Sequence, residues 1–198
     1  MPYILFSLLI TISIAVYSSY ILFNNISLLI INITLPSIAA SILTGIVLAL
    51  LGYLLLHKIK IWTDSVTFVV SKILTKGNTF SLILISTIAA VGEEFYARGF
   101  ILVFYNTHGL NLDLILIIIF ANFLWTLNHI FNAKEHFRKG MNQTIKKSTP
   151  HLVVVFLIGI PLTILTLIFN SITPPIIAHF SFDLLFGLLY RHYIKSNP

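Results

Sequence analysis

Three groups of ionisable residues interrupt apolar runs in this sequence. The first is the segment from Val91 to Phe100, where Glu93, Glu94 and Arg98 fall inside a hydrophobic stretch. The second is Asn122, Trp125, His129 and Asn132, spaced by three, four and three, which lines one face of a helix. The third is His179 and Asp183, four apart and again on one helical face. Carboxylates and imidazoles are the groups that move protons in hydrolysis. Glu94 and Arg98 stand four apart and can pair along one face, giving Arg98 a structural role. Glu93, rotated about 100° from Glu94, is left without a partner in its own helix. If the three charges were central in a membrane helix, ionised and unpaired, they would cost roughly 8–10 kcal/mol together. A helix bearing them needs partners from elsewhere in the chain, and intramembrane ionisable residues are functional candidates by default.

The elements that carry these groups are hydrophobic helices. Of the 198 residues 58% are hydrophobic and 9% charged, with a mean hydropathy of +0.99. A soluble domain could not cover itself with so little polar surface, whereas lipid rewards it. The expected fold is an all-α membrane protein, a bundle of about six transmembrane helices with a buried polar site. Spans are expected over about 3–23, 37–56, 80–105, 112 to beyond 129, 152–169 and 174–190. The first is too long for a signal-peptide core and is read as a retained helix. Residues 1–76 form an N-terminal part of two spans and a basic segment; residues 77–198 form the core that holds the polar groups. In the basic segment Ile61, Trp62, Ser65, Phe68, Val69, Lys72 and Ile73 recur at helical spacing, the pattern of an interfacial amphipathic helix, although an ordinary connector fits as well. Gly77-Asn78 ends it. The fourth span is expected to continue towards Phe137, because a stop at Phe131 would leave His129 far shallower than Glu93. Pro161 is expected to kink the fifth.

Charge placement sets the orientation. Eleven of the twelve Lys and Arg residues lie after the second, fourth and sixth spans or near them, and Arg98 alone lies within a span. The loops Asn24–Pro36, Asn106–Asn111 and Asn170–Pro175 carry none. That alternation predicts a multi-pass protein of the cell membrane with both termini cytoplasmic. The same distribution argues for a lipid bilayer and against nucleic acid as the partner of the net positive charge. With no cysteine, disulfides, thiolate chemistry and Cys-based metal sites are excluded. His57, His108, His136, His151 and His192 fall at span ends or in loops and carry no site signal.

Taken in order, Glu93-Glu94-x-x-x-Arg98, the aromatic-x-x-x-His of Trp125 and His129, and His179-x-x-x-Asp183 resemble the three motifs of the CPBP family. These are the type II CAAX proteases and their bacteriocin-processing relatives, also called Abi proteins. The resemblance covers about half the chain, with each motif in its own hydrophobic helix. Two positions vary: Trp125 stands where the family usually has Phe, and Asp183 where many members have Asn. The resemblance implies a glutamate-dependent intramembrane endopeptidase acting on a peptide or protein substrate at the membrane. By it, Glu93 is the general base for water, His129 assists, and His179 and Asp183 stabilise the oxyanion. Glu94 belongs to the same catalytic set, with Arg98, Trp125 and Asn122 in support. An ionised Asp183 cannot donate a hydrogen bond and would instead orient His179.

Zinc is the alternative cofactor, since it takes nitrogen and oxygen ligands, and Glu93, His129 and His179 would hold it. The compact His-Glu-x-x-His motif of zinc peptidases is absent, so a metal-free mechanism is expected. Two other classes compete. A non-catalytic immunity or scaffold protein would have no need of the complete ionisable set. A proton or cation carrier predicts paired repeats or broken helices in two halves, and the sequence has neither.

Overall fold

A computed structural model describes residues 33–75, 78–109, 112–129 and 141–197. The expected first span, Asn132 and most of the basic stretch after it lie outside the described residues. Six helices follow one another: α1 (Leu35–Lys58), α2 (Lys60–Thr75), α3 (Thr79–His108), α4 (Leu112–Asn128), α5 (Met141–Phe169) and α6 (Thr173–Ser196). No strand occurs among the described residues, and the chain is an all-α membrane protein.

The polarity of the bundle is that of a protein in lipid. Leu43, Leu54, Ile88, Leu116 and Leu157 are each more than half exposed, while Glu94, Arg98, Asn122, Thr163 and His179 are buried. In water this distribution would be penalised at about 25 cal/mol for each Å² of apolar surface left outside. Among the described residues, three helices are long and apolar enough to cross a membrane: α1, α3 over Thr79–Asn106, and α5 over Asn142–Phe169. At 1.5 Å per residue the 17-residue α4 spans only about 25 Å. The polar residues His179, Asp183 and Arg191 interrupt α6.

Local sequence explains where helices start. Thr34 caps α1 through its side chain and exchanges a capping box with Ser37, and Asn78 caps α3 by accepting from the Ser81 N–H at 2.9 Å. Pro174 and Pro175 open α6, where the missing N–H groups cost nothing. Along α1 the buried residues are Ser37, Ser41, Gly45, Ala49, Gly52 and Leu56, a stripe of small side chains. It lets α6 approach backbone to backbone, as small-residue stripes do between membrane helices. A Cβ at Gly45 would stand 2.5 Å from the Ala178 carbonyl oxygen. This contact seats α6, and with it His179, against α1.

The expected run of α4 towards Phe137 falls on residues outside the described ones; its described part is α-helical to Asn128. The depth of His129 against Glu93 is set by the connection that α3 and α4 share. Glu93 lies 15 residues before the end of α3 at His108, and His129 lies 17 residues after Leu112, so the antiparallel pair brings them level. Helix α5 starts at Met141, not at Leu152, and runs unbroken through both Pro150 and Pro161. In α2 the buried face is Trp62, Ser65, Val66 and Val69, while Ile61 faces outwards, because α2 packs on α1 and α5.

Candidate active site

Glu94 and Arg98 form a sealed ion pair, with Arg98 Nε 3.2 Å from Glu94 Oε2 and both side chains fully buried. The other face of Glu94 receives α6: Oε1 is 2.7 Å from His179 Nδ1. Glu94 therefore links α3 to α6 as well as to its own helix, which sequence spacing could not show. Arg98 extends the network in the other direction, donating to Asn122 Oδ1 at 3.0 Å and to the Gly159 carbonyl at 3.1 Å. Its guanidinium lies 4.2 Å from the centre of the Trp125 ring. Asn122 in turn donates to Thr163 Oγ1 at 3.2 Å. One cation thus joins α3, α4 and α5. Charge-assisted bonds of this kind are about twice as strong as neutral ones.

Glu93 has a different environment. Its side chain is 35% exposed, and it opens into a cavity of about 210 Å³. The Trp125 indole N–H donates to Glu93 Oε2 at 2.6 Å, and His129 Nε2 stands 3.5 Å from the same oxygen. His129 Nδ1 lies 3.0 Å from the Trp125 carbonyl oxygen, one turn back. A carbonyl accepts only, so Nδ1 carries the proton, and in the neutral ring Nε2 presents a lone pair towards Glu93. Across the cavity His179 Nε2 is 3.5 Å from Asp183 Oδ2, and Asp183 also lines the space.

The structure thus brings Glu93, His129, His179 and Asp183 to one cavity, with Trp125 between them and Glu94, Arg98 and Asn122 sealed behind. Among the described residues no three His, Asp or Glu side chains are grouped so as to hold a metal ion. His179 Nδ1 is bonded to Glu94 and Glu93 Oε2 to Trp125, contacts that hold both side chains in place and leave His179 Nε2 turned to Asp183. What remains is a carboxylate and an imidazole lone pair side by side, facing a second imidazole. Such a set can take a proton from water on one side and offer a donor on the other.

Three residues of this region carried no signal in the sequence. Gly159 is one: a Cβ there would collide with Asn122 Oδ1 and lie 3.0 Å from Arg98 Nη2. Thr163, which bridges Asn122 to α5, is the second. The third is His151, which lines the cavity from α5. A fifth span read from Leu152 leaves it outside, whereas α5 starts at Met141. The face Ser148, His151, Val155, Ile158 and Leu162, all buried and at helical spacing, would have revealed it.

Paired glutamates, an arginine and two histidines inside an apolar helical bundle make a polar site embedded in a membrane domain. Residues 75–185, more than half of the chain, match the model of the family described as Type II CAAX prenyl endopeptidase Rce1-like. The chain belongs to that family and is a membrane-embedded endopeptidase of its type. No curated protein and no solved structure matches it. All three motifs, from Glu93 to Asp183, fall inside the matched residues.

Proposed function

We propose that Glu93 is the general base of this endopeptidase and that the scissile peptide bond lies between Glu93 and His179. The observation that carries this reading is the division of labour between two adjacent glutamates. Glu94 is fully buried and neutralised by Arg98 and His179; Glu93 opens to the cavity beside an imidazole lone pair. Only the second kind of carboxylate can reach a water and a substrate. Water bracketed by the Glu93 carboxylate and His129 Nε2 loses a proton to Glu93 as its oxygen attacks the scissile carbonyl carbon. Glu93 then delivers that proton to the departing amine as the C–N bond breaks. With Nδ1–H given to Glu94, a proton on His179 Nε2 is the donor aimed at the developing oxyanion. The carboxyl of Asp183 adds a second donor when protonated, and otherwise holds the ring from its far side. Trp125 fixes the rotamer of Glu93 through the 2.6 Å bond.

The substrate in this reading is a peptide or protein segment held at the membrane. A cavity of about 210 Å³ is smaller than the roughly 300–1,000 Å³ typical of small-molecule sites. It suits a short stretch of chain rather than a folded partner. The CAAX-type cut is favoured over bacteriocin processing by the family match alone. The alternation of Lys and Arg along the chain supports a topology with both termini in the cytoplasm.

The test is cleavage of a farnesylated CAAX peptide by purified protein in liposomes, scored by mass spectrometry. Glu93→Gln keeps size and hydrogen bonding but removes the base, and activity should fall ~10²–10⁴-fold. His129→Ala and His179→Ala should fall comparably while remaining inserted and monodisperse. Cleavage that persists in Glu93→Gln rules out that residue as the base. A scaffold predicts no cleavage by any form.

A further inference from the structure

His151 is held rigidly yet left chemically unspent. Its ring stacks on Trp62, with centroids 5.7 Å apart and planes 18° from parallel. Trp62 is itself fixed by its indole N–H donating to the Gly52 carbonyl at 3.2 Å. The His151 backbone N–H is tied to Ser65 Oγ at 3.0 Å. Three helices therefore set the position of this imidazole. Yet among the described residues neither ring nitrogen has a hydrogen-bond partner, although the residue is 93% buried, with 7% exposure. Buried polar groups in native proteins are almost always paired, so an unpaired one calls for a partner from outside the chain. His151 faces the same cavity as Glu93, with its ring 6.2 Å from that of His129.

The geometry points to His151 as a substrate-binding residue that hydrogen-bonds the main chain of the peptide beside the scissile bond. The inference rests on the reading of the cavity as the peptidase site. A neutral imidazole offers one N–H donor and one lone pair. A peptide unit offers one C=O and one N–H, the complementary pair. Trp62, whose indole N–H is already spent on Gly52, and the apolar Val155 and Ile158 line the same cavity. The rings of His151 and His129 are 6.2 Å apart, a length that about two residues of extended chain would cover. At that separation His151 takes no proton from the reacting atoms and acts on binding. It also extends the site beyond the matched family region, since Trp62 on α2 precedes residue 75.

The experiment uses the full chain bearing Glu93→Gln in lipid nanodiscs, and equilibrium binding of a fluorescent farnesylated CAAX peptide. His151→Phe keeps the stack on Trp62 but removes both polar atoms, and should raise Kd about 3–10-fold, the loss of one or two net hydrogen bonds. His151→Gln, which retains a donor and an acceptor, should stay within about 2-fold of the parent. In parallel, each peptide bond of the ligand is replaced by an ester in turn. One position should weaken binding to the parent and have no further effect on His151→Phe, as coupled groups do in a double-mutant cycle. The ester series on the parent needs no substitution at 151, so misfolding of His151→Phe does not blunt the test.

Equal affinity of His151→Phe and parent, an ester series without effect on the parent, or absence of peptide binding by the parent each overturns the proposal. Cleavage by the protein with Glu93 intact is read separately. Glu93-dependent cleavage with no His151 effect on binding sinks this inference alone. The expected binding pattern without any cleavage sinks the hydrolytic reading and leaves His151 as a peptide-binding group.

Discussion

Substituting Gly159 by alanine adds one methyl group at the point where α5 passes closest to the buried charges. That methyl would overlap Asn122 Oδ1 and stand 3.0 Å from Arg98 Nη2. Neither neighbour can give way freely. Asn122 is held by the Ile118 carbonyl and Thr163, and Arg98 by Glu94 and the Trp125 ring. Overpacking of this kind costs about 1–3 kcal/mol. Separating Arg98 from Asn122 forfeits a bond to a charged group worth about 1.5–3 kcal/mol. Better helix propensity of alanine returns about 0.5–1 kcal/mol. The net expectation is a loss of about 2–5 kcal/mol, in line with those three terms.

For a chain of this size, about 2–4 °C per kcal/mol translates that loss into a fall of roughly 5–15 °C in melting midpoint. The assay is thermal unfolding of purified protein in mild detergent, with Gly92→Ala as the control. Gly92 lies in α3 with nothing within 4 Å of an added Cβ, so the same chemical change should leave the midpoint unchanged or slightly raised. Asn122→Ala combined with Gly159→Ala should be less damaging than the two separate losses added, because the collision disappears. A Gly159→Ala midpoint equal to the parent, or a Gly92→Ala loss just as large, would refute the argument from close packing.

Two other outcomes follow from the same network and from the charge pattern. Arg98→Ala strands the Glu94 carboxylate and should lower folded yield by about 3–5 kcal/mol equivalent. Adding Glu94→Gln should recover part of this, since its amide oxygen still accepts from His179; a normal yield of the single variant would show that the pair is dispensable. Reporter fusions at residues 106–111 and 139–147 should give opposite signals, and the same signal at both sites would discard the proposed topology.

Much of the site was legible before any coordinates, because charges in apolar helices are conspicuous. Spacing alone paired Glu94 with Arg98, singled out Glu93 and put His179 on one face with Asp183. It could not show the 2.7 Å contact between Glu94 and His179, since residues 85 apart in sequence meet only through the packing of α3 on α6. That His129 lies level with Glu93 follows from the short connection between His108 and Leu112, which the spacing within each motif does not measure. His151 was lost for a smaller reason. Pro150 and the nearby lysines resemble a connector, yet α5 tolerates Pro150 inside a helix and carries Lys146 and Lys147 on its first turns.

Gly159 and Thr163 show why the supporting residues were harder to find than the reactive ones. A glycine in an apolar run has no polarity to betray it, and its meaning lies in what would collide with a side chain there. Arg98 needs acceptors from two other helices, and a backbone carbonyl can accept from it only if α5 comes close enough. Glycine at 159 permits that approach, and Thr163 Oγ1, which donates to the same carbonyl at 2.9 Å, completes it. The cation then meets acceptors on three helices, and Glu94, paired with it, holds His179 from behind. Glu93, one residue away, remains unneutralised on the cavity side. The rotation of about 100° between neighbouring glutamates turns one to the cavity and one to Arg98. The missing methyl group at Gly159 lets a third helix close around that buried pair.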